Sequence, residues 1–463
     1  MALLIRNGDI VTADARYLAD IYVEDETITC IGKNLDVPPG TEVIDASGKF
    51  VFPGFIDPHV HIYLPFMATF AKDTHHTASV AALIGGTTTF IEMCCPSRHD
   101  DALDGYHLWK EKAAGSSACD YAFHMAVTRF DKNTESQLRS IVADGTASFK
   151  LFLAYKNFFG VEDRELYETL TLARRLGVIT TAHCENAELV SRLQASLLAA
   201  GKTGPEWHEP SRPETVEAEG THRFATFLET TGAHGYVVHL SCQPALEAAA
   251  RAKMRGVHLA VESVLPHFLL DKRLAEQSVV EGLKYVMSPP LRDKRNHAAL
   301  WSALAAGVID TVGTDHCPFD VAQKKMGADD FTLIPNGIPG IEERVNLMYA
   351  QGVNSGRLDL HRFVDALSTR AARLFGLFPR KGTIAPGSDA DLVIYDPYYR
   401  GTVSAKTQHT NNDYNGFEGF PLQGRPSVVT VRGKVQVRDG KFVGNAGIGR
   451  FLAREPLGEN YDG

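Results

Sequence analysis

Apolar and polar residues alternate with period two near both ends of the chain, and this pattern changes in the middle. At the start, LLIRNGDIVT (3–12) and ADIYVEDETITCIG (19–32) alternate, broken by Asn7-Gly8 and Asp25-Glu26. Near the end, ADLVIYDP (390–397) and VVTVRGKVQVRDGKFV (428–443) repeat the alternation, with Gly433 and Gly440 marking turns. Such runs read as half-buried strands. Pro53-Gly54 and Pro386-Gly387 punctuate the two junctions with the middle. Strands at opposite ends of one chain commonly meet in one sheet. Residues 1–52 and 378–445 therefore predict a small β-sandwich domain that is discontinuous in sequence, followed by a tail at 446–463.

In the middle, short apolar strands alternate with helical stretches, the pattern of βα units on a parallel sheet. Eight strands are legible: FIDPHVH, TTTFIEMC, YAFHMAV, SFKLFLA, VITTAHCE, YVVHLSC, VHLAVES and VIDTVGTD. Between them ASVAALIGG, RELYETLTLARRLG, PALEAAARAKMRG and HAALWSALAAG show helical apolar spacing and a closing glycine. The expected fold is α/β, a (β/α)8 TIM-type barrel over residues 53–377. The alternative, an open doubly wound sheet, lacks a GxGxxG turn after its first strand.

The bulk numbers narrow the function. The chain has 463 residues, 44% hydrophobic and 22% charged, with a net charge of -9. That balance argues against nucleic acid as a partner, because such binders carry basic patches against phosphate. No apolar run approaches the roughly 18 residues that span a bilayer, so no membrane partner is expected. The N-terminus lacks a basic segment followed by a long apolar stretch, so no signal peptide is expected. Seven cysteines without regular spacing do not suggest a disulfide framework. A cytoplasmic location is the default.

In such a barrel, catalytic residues collect at the C-terminal ends of the strands. Here those ends carry His59 and His61 (strand one), His183 (strand five), His239 (strand six) and Asp315 (strand eight). Histidines two apart on a strand share a face. A lone strand histidine is usually a core or surface residue. Four of them with an aspartate at one end of different strands favour a metal site. Lys150 lies inside the apolar strand SFKLFLA, where burial lowers an ammonium's pKa and favours the neutral amine. A neutral amine can add carbon dioxide, and the resulting carbamate offers two oxygens to bridge two metals. A lysine snorkelling to the barrel rim is the plain alternative.

The ordered blocks GFIDPHVH, SFKLFLAYK, TAHCEN, VVHLS, MSPPLR, VGTDHCPF, IPNGIPGIEER and KGTIAPGSDADLVIYDP resemble the dihydropyrimidinase/hydantoinase branch of the amidohydrolase superfamily. They run from Gly54 to about Gly433. The resemblance implies a hydrolase that opens dihydropyrimidines or 5-substituted hydantoins, with a small cyclic amide as its partner molecule. It implies two divalent ions, zinc by preference. His59, His61 and Asp315 would hold one, His183 and His239 the other, and carboxylated Lys150 would bridge them. Asp315 would move the proton, Tyr155 would serve the oxyanion, and Ser288 and Asn336 would hold the ring amide. Tyr63, Leu64, Phe152 and Phe159 would line the pocket for the exocyclic group. The resemblance also implies a homotetramer or homodimer, with the tail reaching a neighbouring subunit.

Two segments depart from the pattern: Ile62-Tyr63-Leu64-Pro65-Phe66 after the HxH pair, and Glu92-Met93-Cys94-Cys95-Pro96 at the end of strand two. Many relatives are more acidic near Asp73. Cys94, Cys95, Cys184 and Cys317 lie near the site in sequence but would displace ligands already assigned, and His316 should face away from it. Dihydroorotase and allantoinase are the rival activities. Dihydroorotases commonly place an arginine two residues after HxH to pair with the substrate carboxylate, and here that position is Tyr63. A non-catalytic scaffold that has lost its ligands is the remaining class, and this chain keeps all six positions.

Overall fold

The computed structural model of the protein describes residues 2–156 and 158–457. Eight parallel strands follow one another in spatial order: Phe55–Val60, Thr87–Cys94, Asp120–Ala126, Ser148–Phe152, Ile179–His183, Gly235–Val237, Leu259–Val264 and Thr311–Gly313. Every residue in them is buried, as expected when helices cover the outside and side chains fill the inside. The first and eighth strands close the ring: Asp315 N donates to His59 O at 3.0 Å, and His61 N donates to His316 O at 2.8 Å. All eight sequence-read strands are in place, and the fold is the expected (β/α)8 barrel with a separate sheet.

The helix Asp163–Leu176 shows how sequence sets the crossovers. Glu162 and Glu165 form its capping box, and Gly177 ends it in the left-handed region at φ 66°. Leu166, Leu170 and Ala173, spaced four and three apart, are buried and cover the barrel at about 1.5–3 kcal/mol per leucine.

The two chain ends build one hydrogen-bonded sheet of nine strands. The ends meet where Phe50–Pro53 pairs antiparallel with Leu392–Thr402, Phe52 opposite Val393. Leu3, Ile5, Ile21, Val51, Leu392 and Ile394 share one core, so the expected sandwich is realised as a continuous sheet around its own apolar interior. Asn7-Gly8, read as a break, instead sits inside the single strand Ala2–Val11 as a bulge, with Asn7 at φ 60°. Gly433 and Gly440 do occupy turns, at φ 73° and 76°.

At the N-terminal end of the barrel, charged side chains join the sheet to the strands. Lys381 Nζ reaches Asp120 and Asp391 at 2.7 Å each and Asp389 at 3.0 Å; Arg432 also pairs with Asp120. The described part of the tail runs along the chain's own barrel. Leu452 N donates to Tyr121 O and Arg454 N to Gly145 O, and the buried Arg454 guanidinium bonds Phe123 O and Ser148 Oγ. Residues 458–463, the rest of the segment expected to reach a neighbouring subunit, lie outside the described residues.

Candidate active site

At the C-terminal ends of the strands, the predicted ligands converge. His59, His61 and Asp315 each offer one atom within 4.8 Å of the others. Asp315 Oδ1 lies 3.2 Å from His59 Nε2 and 3.1 Å from His61 Nε2, yet His59 Nε2 makes no hydrogen bond. His183 Nδ1 and His239 Nε2 approach to 2.9 Å. Lys150 is fully buried and its Nζ has no hydrogen-bond partner. Burial brings its ammonium down to about 8. The same loss of water pushes His59, His183 and His239 below their usual range, so these imidazoles are neutral, the form that ligates metal. His239 and Asp315 are held at φ 41° and 52°, positive values that cost non-glycine residues energy and cluster at functional sites.

Outer partners orient this set. His59 Nδ1 pairs with Glu262 Oε1 at 2.7 Å, which leaves Nε2 facing the cluster. Glu262 also accepts from His239 N and Tyr236 OH, and burial raises its carboxyl to about 7. His183 Nε2 pairs with Glu185 Oε2 at 2.7 Å, leaving Nδ1 inward, and Glu185 is paired with buried Arg212. Carboxylates behind ligating histidines fix the ring orientation and raise its basicity. Sequence reasoning assigned no role to Glu262, Glu185 or Arg212. Their signal was a carboxylate in a buried strand and another two residues after a predicted ligand.

The cavity over the cluster is lined by His61, Leu64, Phe66, Lys150, Phe152, Tyr155, Phe159, His183, His239, Ser288, Asp315, Cys317 and Asn336. Asn336 Nδ2 donates to Ser288 Oγ at 3.0 Å and lies 3.5 Å from the Tyr155 hydroxyl, so the three expected substrate groups meet. Tyr155 sits at φ 57° with the Arg212 guanidinium over its ring at 5.3 Å. Leu64, Phe152 and Phe159 form an apolar wall, and Phe66, which sequence reasoning did not single out, stacks on Phe159 at 6.1 Å.

Tyr63 is the expected pocket residue that the structure does not bring to this cavity. At φ 58° the chain turns its ring outward, where it lies 5.8 Å from His75 and under Lys112 Nζ at 4.4 Å, lining a neighbouring cavity. His316 faces away as expected, bonded to Asp73 at 2.9 Å. Cys94, Cys95, Cys184 and Cys317 are buried, and burial pushes all four thiols up, Cys95 to about 12. They remain thiols, poor metal ligands.

Neutral imidazoles, a carboxylate and an unpartnered buried amine around one cavity match the donor chemistry of a divalent-ion centre. Comparison with known proteins agrees. The amidohydrolase family model matches residues 50–436, and that family generally uses a binuclear metal site. The chain is 44% identical to a D-hydantoinase of Geobacillus stearothermophilus over 99% of this chain and 98% of that one. It is 39% identical to a dihydropyrimidinase of Rattus norvegicus over 99% of this chain and 89% of the other. Among solved structures, a D-hydantoinase (dihydropyrimidinase) from Thermus sp. superposes with a TM-score of 0.98 at 75% identity, covering 98% of this chain and 99% of that one. The chain belongs to the amidohydrolase family.

Proposed function

We propose that the protein is a metal-dependent hydrolase that opens the ring of dihydropyrimidines or 5-substituted hydantoins. The observation that carries this reading is the convergence of Lys150, three histidines and Asp315 on one cavity that also holds Tyr155, Ser288 and Asn336, with a fourth histidine, His59, against Asp315 and His239. His59, His61 and Asp315 would hold one divalent ion and His183 and His239 a second, zinc in both cases, with carboxylated Lys150 between them. Such a pair supplies Lewis acidity and lowers the pKa of water towards 7.

The chain's own groups do the rest. Asp315 takes the proton released as water adds to the ring carbonyl and delivers it to the amide nitrogen as the C–N bond breaks. The Tyr155 hydroxyl donates to the carbonyl oxygen as it gains charge. Ser288 and Asn336 hold the ring amide, and Leu64, Phe152 and Phe159 receive the exocyclic group.

Among the described residues, no arginine lines the cavity, and Arg212 nearby is already paired with Glu185. A substrate carboxylate would be buried without a partner, at a cost of several kcal/mol. This favours neutral rings over dihydroorotate.

The test is a parallel assay of the zinc-loaded protein on dihydrouracil, hydantoin, a 5-aryl hydantoin, allantoin and dihydroorotate. We expect the neutral rings to open, the aryl hydantoin at least as well as dihydrouracil, and dihydroorotate to be rejected by orders of magnitude. Dihydroorotate as best substrate overturns the assignment, and allantoin as best moves it to the neighbouring activity.

We further assign residues 53–377 to the catalytic unit, 1–52 and 378–445 to the β-domain and 446–463 to a tail. A cytoplasmic location fits the seven free cysteines, and a homotetramer or homodimer is the assembly that the family resemblance implies. Among the described residues no helix is long and apolar enough to cross a membrane. Light scattering of the purified protein checks the assembly.

A further inference from the structure

Lys324 is fully buried, 0% exposed, at the end of the short helix Val321–Lys324. Its Nζ donates to two backbone carbonyls, Val286 O at 2.8 Å and Gly337 O at 2.7 Å, and faces the Phe319 ring at 5.8 Å. No carboxylate among the described residues pairs with it, and burial brings its ammonium down to about 7. An ammonium buried without a counter-charge is expensive, and a surface lysine of ordinary type would reach solvent.

The positions of its acceptors explain the expense. Val286 lies two residues before Ser288, and Gly337 directly follows Asn336. Gly337 N also donates to Val286 O at 3.0 Å, so the two loops cross at this point with Lys324 beneath the crossing. The crossing is tight. Gly337 sits at φ 153°, and a Cβ there would lie 2.2 Å from Cys317 O. Above it, Asn336 Nδ2 meets Ser288 Oγ.

We propose that Lys324 is a positioning residue for substrate binding: its ammonium clamps the carbonyls of Val286 and Gly337 and thereby sets the distance between Ser288 and Asn336. This rests on the reading that Ser288 and Asn336 hold the ring amide. Lys324 touches neither the substrate cavity nor the predicted metal ligands, so its effect is on binding geometry rather than on chemistry. Two loops free to separate by even an ångström no longer present both groups to one flat ring at once.

The experiment compares Lys324→Met, Lys324→Gln and Lys324→Arg in the metal-loaded protein, with hydantoin as probe. The Met variant should raise KM at least tenfold while kcat changes less than threefold, the mark of lost uniform binding. Gln, which can still bond one carbonyl, should fall between Met and wild type, and Arg should be the mildest if its fork reaches both oxygens. Two metals per chain should remain. A double-mutant cycle with Ser288→Ala should be non-additive in KM, since the two residues act through one another.

If Lys324→Met does not fold, backbone hydrogen exchange of the Gln variant decides the matter, with faster exchange expected at 286–288 and 336–338 and unchanged exchange in the barrel strands. Unchanged KM, additive effects, or exchange that rises throughout the barrel would each overturn the clamp. Failure of the functional reading itself is distinguishable, because the wild type would then not open hydantoin at all.

Discussion

At the N-terminal end of the barrel, Lys381 is almost fully buried and lies within 3.0 Å of three carboxylates. At the C-terminal end, Lys150 is equally buried and its Nζ bonds nothing. The surroundings repeat the contrast. Below, Arg432 pairs with Asp120 and, through Nε, with Glu26, and the Arg454 guanidinium bonds carbonyls and a hydroxyl, its Nε alone left without a hydrogen bond. Above, Lys150 Nζ and His59 Nε2 are buried without a hydrogen bond, and His183 Nδ1 and His239 Nε2 bond only each other. Burial is the same at both ends, so burial does not mark the functional one. What marks it is the orphaned donor set, because an unmade hydrogen bond costs about 1–3 kcal/mol per group, and a native fold tolerates several together only where something else repays them. The paired cluster holds the β-sheet to the barrel; the unpaired one fits a pair of metal ions.

Substitution of the two lysines separates the ends most sharply. Lys150→Ala should reduce ring opening to background and leave fewer than two metals per chain by elemental analysis, since the other lining carboxylate, Asp315, already serves the ion at His59 and His61. Short carboxylic acids should restore part of the rate. A fully active variant with two metals would erase the distinction between the ends.

Lys381→Met takes the counter-charge from buried Asp391 and leaves Asp120 to Arg432 and Asp389 to Arg380 alone, and should cost about 3–5 kcal/mol in denaturant unfolding, with kcat/KM and metal content of the folded protein unchanged. Its pH dependence carries a sign. The three carboxylates raise the Lys381 ammonium above its ordinary range. Its stabilisation is therefore complete below the unfolded value of about 10.4 and is lost as pH rises through the higher folded value. The wild type should lose this increment on the alkaline side and the Met variant should not. Loss of metal in Lys381→Met at neutral pH would show the two ends to be coupled.

Tyr155→Phe tests the upper end without touching the metals. It removes one donor aimed at charge that develops in the transition state, so kcat should fall by about 10²–10³ while two metals remain bound. A change confined to KM would make Tyr155 a uniform binder.

How far the sequence alone carried the reading also differs between regions. Fully buried parallel strands read as short apolar runs between helical stretches that close on glycine, so SFKLFLA and its seven counterparts stood out, with the histidines at their ends. Lys150 was legible because an ammonium is foreign to such a run. Glu262 is equally foreign to VHLAVES, but its meaning depends on His59 standing opposite, and that neighbour comes from closure of the barrel 203 residues away. Asn7-Gly8 has the composition of a hairpin turn, and only pairing of both flanks with Arg16–Glu24 makes it a bulge. Tyr63 was read into the pocket from its place two residues after His61, but there the chain has left its strand, and the positive φ that directs its ring towards His75 is invisible in the letters. Lys324, in QKKMG, looks like an exposed helical lysine until the loops at 286 and 337 close over it.

Glu262 offers the finest test, because it belongs by burial to the core and by contact to the site. It bonds His59 Nδ1 and His239 N on one side and Tyr236 on the other, and Tyr236 in turn meets Thr311 at 2.6 Å. Glu262→Gln keeps the volume and retains an oxygen to accept from His59, so the ring orientation and the fold should survive. It removes the negative charge that makes the imidazole a better donor to a cation. Loss of such an outer partner typically costs 10–100-fold in metal affinity or activity, so we expect a chelator to strip one ion from the variant at about 10–100-fold lower concentration, with thermal unfolding of the metal-free protein near wild type. If instead the metal-free variant unfolds early and its metal affinity is unchanged, Glu262 belongs with Lys381 and Asp120 among the groups that hold the barrel together. The boundary between the two kinds of buried charge would then run between Glu262 and His59, at the 2.7 Å contact itself.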